Sequence, residues 1–68
     1  MNEETFNLSL RKFLKMVGVN SQNEIEKAVA KALNDKTISG NGTFPATMRL
    51  EIAGINLDIS FEGTVNLQ

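Results

Sequence analysis

Met48-Arg49-Leu50-Glu51-Ile52-Ala53-Gly54-Ile55-Asn56-Leu57-Asp58-Ile59-Ser60-Phe61 is the stretch that decides the fold. Apolar and polar residues alternate along it with a period of two, the pattern of a strand covered on one face. The alternation changes phase once, at Ala53-Gly54. Before that point the apolar residues are even-numbered: Phe44, Ala46, Met48, Leu50 and Ile52. After it they are odd-numbered: Ile55, Leu57, Ile59, Phe61, Val65 and Leu67. A chain reversal there sets Ile52 opposite Ile55, Leu50 opposite Leu57 and Met48 opposite Ile59. Every apolar side chain then falls on one face of an antiparallel ribbon. A slip of one residue would send an apolar row into water, so the parity of the register is well specified. The other face carries Arg49 opposite Asp58, Glu51 opposite Asn56 and Thr47 opposite Ser60. A two-residue turn prefers Asn-Gly or a leading Gly. Ala53 suits that badly, and a four-residue loop over Ile52 to Ile55 keeps the same facing pattern.

Toward the N-terminus, Phe6, Leu10, Phe13, Leu14 and Val17 form one helical stripe, which predicts a helix over about 3–17. Asn2 is its N-cap, Glu3 and Glu4 sit in the first turn, and Gly18 follows the last periodic residue as a stop. Ser21-Gln22-Asn23-Glu24 has the spelling of a capping box. It predicts a second helix over about 22–34 with the stripe Ile25, Ala28, Val29, Ala32 and Leu33. Residues 35–43 have no period, and Ser39-Gly40-Asn41-Gly42 is turn chemistry. Strands follow over about 44–52 and 55–62, the second extending as far as 67. Pro45 cannot donate a ladder bond and belongs on an edge or at the start of a strand; Gly63 marks a bend or bulge.

The expected fold is therefore α+β in the order ααββ. Two amphipathic helices pack on one face of a C-terminal antiparallel hairpin, and residues 1–68 make a single domain. A two-stranded ribbon is marginal alone, so the helices are needed. The open strand edge leads to a second expectation, a homodimer in which two copies build a four-stranded sheet.

Composition narrows the chemistry. At 68 residues and 41% apolar content the core is small, and area gained against entropy lost comes out near zero for such a chain. There is no cysteine and no histidine, which removes disulfides, thiolate sites and zinc held by imidazole, along with the commonest general base and nucleophile. The net charge is −1, neutral evidence on nucleic acid. Met1-Asn2-Glu3-Glu4 has no apolar run like that of a signal peptide, and no stretch reaches the roughly 20 apolar residues of a membrane span. The expectation is a cytoplasmic protein without a cofactor and without a membrane partner.

Each motif has a plainer reading beside the sharper one. Ser9 and Lys12 fit the S-x-x-K spelling, but its families need further motifs and a far larger body. Gly40-Asn41-Gly42 follows a helix and opens a strand, the reverse of a phosphate-cradling loop. Glu51, Asp58 and Glu62 share a hairpin face, which reads as solvated surface with Arg49 beside them. Gly18-Val19-Asn20-Ser21 between two helices is similar to the turn of a helix-turn-helix. The second helix would then offer Gln22, Asn23, Lys27 and Lys31 to DNA, against Glu24 and Glu26. The feature to follow is the outer face of the first helix. Leu8, Arg11, Lys12, Lys15 and Met16 lie opposite the core stripe, three cations with an apolar residue at either end. A protein partner or an anionic surface fits that face; a solvated helix face is the plainer reading.

The chain also resembles a family of short uncharacterised bacterial proteins, a domain of unknown function numbered 6494. The likeness rests on Phe6-Asn7, Arg11-Lys12-Phe13-Leu14-Lys15, Val17-Gly18-Val19, Ser21-Gln22, Glu24-Ile25-Glu26-Lys27-Ala28-Val29 and Leu50-Glu51-Ile52-Ala53-Gly54. It covers nearly the full length. The resemblance implies a stand-alone bacterial cytoplasmic protein and lends no catalytic or binding residue. The expected role is a small non-enzymatic interaction or accessory protein, with a nucleic-acid-binding protein as the alternative.

Overall fold

A computed structural model describes residues 1–68. The chain divides into two compact units, Met1–Thr37 and Ile38–Gln68. The first holds one helix, α1 (Glu3–Asn34). The second holds strands β1 (Thr43–Ile52) and β2 (Leu57–Asn66), joined by a single 3-10 turn at Ala53–Ile55.

The two expected helices are one. At 32 residues α1 is about 48 Å long. It runs through Gly18, Val19 and the Ser21-to-Glu24 capping spelling without a break. The reason lies in the cost of helix ends. A break would strand four C=O and four N–H groups without helical partners, and one serine cap answers at most two of them. A glycine kept inside a helix costs only about 1 kcal/mol. Gly18 does not take the positive φ that would make it a C-terminal stop. Just past the expected break, Gln22 donates to Glu26 at 2.9 Å, one turn on. The helix-turn-helix reading loses its turn with the break.

The true ends of α1 are well made. The Asn2 side chain accepts from the Thr5 amide at 3.0 Å. At the other end Thr37 N–H donates to Ala32 C=O at 2.9 Å and Lys36 N–H to Leu33 C=O at 3.2 Å. This is the paired closure of a Schellman motif. Its left-handed position is Lys36, at φ 60°, where glycine is the usual occupant.

The hairpin keeps the expected faces and changes the expected partners. Phe44 pairs with Val65, Met48 with Phe61, Leu50 with Ile59 and Ile52 with Leu57. The apolar side chains share one face, but each strand partner lies two residues beyond the sequence reading. The turn is the cause. Ala53, Gly54, Ile55 and Asn56 all loop out, and the chain reverses on Asn56, at φ 57° and ψ 36°, with its N–H on the Ala53 carbonyl at 3.1 Å. Gly54 has no positive φ, so the left-handed residue of the turn is the asparagine. Ile55 leaves the apolar row and is 68% exposed. Gly63 pairs with Ala46 in an unbroken ladder rather than at a bulge. Pro45 pairs with Thr64. Counting from the Leu67 N–H donated to Gly42 C=O, that pair is one of those that exchange no ladder bonds, so the missing N–H leaves no gap. Leu67 thus carries the ladder one step past β2, while the Phe44 ring lies over Gly42.

Two outcomes test these assignments. Gly18→Ala raises stability by about 0.5–1 kcal/mol in a thermal melt followed by circular dichroism, since an added methyl meets nothing within 4 Å. A glycine stop would lose stability instead. In the hairpin, Asn56→Val costs about 1–2 kcal/mol, whereas Gly54→Ala stays within about 0.5 kcal/mol.

Candidate functional site

No histidine, cysteine, aspartate or glutamate cluster gathers where a metal ion could be held. The polar face of the hairpin carries one organised group. Arg49 donates through Nε to Asp58 Oδ1 at 3.0 Å and through Nη2 to Asp58 Oδ2 at 2.8 Å. Its Nη2 also reaches Glu51 Oε2 at 3.5 Å. The register explains the grouping. Glu51 and Asp58 stand directly opposite each other, a like-charge pair that disfavours the hairpin, and the guanidinium bridges them from the diagonal position. The bidentate bond to Asp58 holds the Arg49 guanidinium above its usual range. A raised arginine pKa keeps its contribution at every pH below the unfolded value and loses it only in strong alkali. Stability from this cation is therefore constant through the neutral range. All three side chains are more than half exposed, so this is an ordering contact of a wet face, with no cleft around it.

The five residues singled out on the first helix, Leu8, Arg11, Lys12, Lys15 and Met16, lie within the N-terminal half of α1, and all five are exposed. Leu8 is 59% and Met16 52% exposed. Arg11, Lys12 and Lys15 form no ion pair; the helix's one such contact joins Lys27 to Glu24 at 3.8 Å. The continuous helix does not bring a second basic element to them.

What a continuous α1 does assemble is its other face. Phe6, Leu10, Phe13, Leu14 and Val17 are joined to Ile25, Ala28, Val29 and Ala32 through Ser21 on one side of the continuous helix, with Glu24 among them. Read as two helices these were two short stripes. As one, they repeat at eleven residues: Phe6, Val17 and Ala28; Leu10, Ser21 and Ala32; Leu14 and Ile25. Eleven residues make three turns at 3.67 residues each, close to the natural pitch. That spacing is the sequence signal that would have revealed both the unbroken helix and the length of its apolar face. No side chain on this face is buried, and Phe13 and Leu14 are 42% and 51% exposed.

Replacing Arg49 with Gln leaves Glu51 and Asp58 facing each other without a cation. The melting temperature falls at low ionic strength, and most of the loss disappears at about 1 M salt, where exposed charges are screened within roughly 3 Å.

A family model described as a family of unknown function, DUF6494, matches residues 1–68, in agreement with the resemblance seen in the residues. No curated protein and no solved structure matches the chain. No helix is long and apolar enough to cross a membrane.

Proposed function

Because the chain belongs to DUF6494, a family of unknown function, its role is argued from its own residues, and we propose that it is a small non-enzymatic interaction protein of the cytoplasm whose binding surface is the apolar stripe of α1. The observation that carries this reading is the stripe itself. Large apolar side chains recur along a 32-residue helix, and none is buried. Contiguous apolar surface of this kind marks a place where protein binds protein. The absence of histidine and cysteine from the sequence fits a role in binding rather than in acid–base or nucleophilic chemistry.

A photoreactive side chain at position 13, on the stripe, yields crosslinked protein in the source cell, and one at position 12, on the opposite face, yields little. Crosslinks from position 12 with none from position 13 would overturn the reading.

The three unpaired cations favour one further possibility, an anionic partner such as nucleic acid on the opposite face of α1. A gel shift at low salt separates the two. The stripe reading expects no complex with duplex or single-stranded DNA. A complex lost on changing Arg11, Lys12 and Lys15 together to Glu, and weakened by added salt, would support the nucleic-acid reading.

A further inference from the structure

We propose that the stripe of α1 binds the stripe of a second copy of this chain, laid antiparallel about a two-fold axis between Val17 and Ser21. The proposal rests on the reading of α1 as the interaction surface and names its occupant.

Bulk is distributed unevenly along the stripe. The N-terminal half carries Phe6, Leu10, Phe13 and Leu14; the C-terminal half carries Ala28 and Ala32. Antiparallel pairing sets Phe6 level with Ala32, Leu10 with Ala28 and Phe13 with Ile25. Val17 meets Ser21 at the axis, and both are among the least exposed positions of α1. Phe6 and Leu10 thus each face an alanine, as interdigitation at native density requires, while Phe13 meets Ile25 and Leu14 falls level with Glu24. Parallel pairing would stack Phe6 on Phe6 and leave Ala28 facing Ala28 across a gap. The two-fold is isologous, so one contact set is used twice.

The helix dipoles oppose each other favourably when antiparallel.

The available area is of the right order. Phe6, Leu10, Phe13, Leu14 and Ile25 are 40–51% exposed. At about 150–200 Å² per large side chain, and with the smaller residues between them, the stripe offers on the order of 600 Å² a copy. A standard interface takes roughly 800 Å² from each partner, so the stripe supplies most of one.

The chain has no cysteine, so single cysteines report proximity cleanly. The experiment mixes Val17→Cys protein with Ser21→Cys protein under mild oxidation, with Phe6→Cys protein oxidised alone as the control for direction. The expected result is a disulfide-linked pair from the mixture and little from Phe6→Cys. Strong crosslinking of Phe6→Cys with itself would overturn the antiparallel arrangement. Sedimentation of the unmodified chain, recorded by interference since it has no Trp or Tyr, is expected at twice 7.5 kDa. A folded monomer at all concentrations would overturn the second copy as occupant. The position-13 crosslinks would then decide separately whether the stripe binds another protein. A dimer that forms no helix crosslinks and survives Leu10→Glu would also overturn the proposal, and would point to strand edges. As a check that does not depend on charge, Leu10→Ala and Ala28→Leu each weaken the dimer about tenfold or more. The double variant, which exchanges the two across the interface, recovers affinity to within about threefold. A double variant as weak as the product of the singles would count against the pairing.

Discussion

Neither a lone helix nor a two-stranded ribbon can bury its own apolar face, and that constraint governs everything in this molecule. A helix gains most of its stability from packing of its apolar side rather than from propensity, and a two-stranded hairpin is marginal in water. Each of the two units here is one of these. No residue of the chain is buried, while both units are laid out as if for burial, with apolar residues sorted to one side. On the proposed reading, association would supply for such a chain what a larger core supplies for a larger domain.

Local structure is nonetheless tightly determined. α1 begins on the Asn2 cap and ends in a Schellman closure that accepts the strain of a left-handed Lys36. The hairpin reverses on Asn56, and its opposed carboxylates are reconciled by the two-pronged contact of Arg49. These features fix the length of the helix and the facing of the strands. They leave the apolar surfaces pre-shaped, which on the proposed reading lowers the ordering cost of binding.

The hairpin was largely legible because side-chain parity is a strict two-valued property. One phase change between Ile52 and Ile55 sorts every apolar residue to a face, whatever the turn. The exact partners were less legible. A four-residue turn over Ala53–Asn56 and a shorter one differ by two in register, and both keep the same parity. Asparagine's tolerance of left-handed φ was the clue that separates them. The helix was misread at Gly18 and at Ser21 to Glu24, where local cues compete with continuity. Such cues are worth about 1 kcal/mol each, and a break that exposes eight backbone groups outweighs them. Leu8, Arg11, Lys12, Lys15 and Met16 are exposed, but so is most of α1, and exposure does not single that face out. The surface of greater consequence came from the merger of two half-stripes, visible only once the eleven-residue spacing is followed through the supposed link.

The dependence of thermal stability on protein concentration tests the central claim most directly, because mass action couples folding to association whatever the details of the interface. If the apolar side of α1 is completed by a second copy, the midpoint of unfolding followed by helical circular dichroism rises by several degrees over a hundredfold increase in concentration. A cooperative transition whose midpoint stays fixed over that range would show a chain that folds without its twin, and would contradict the account.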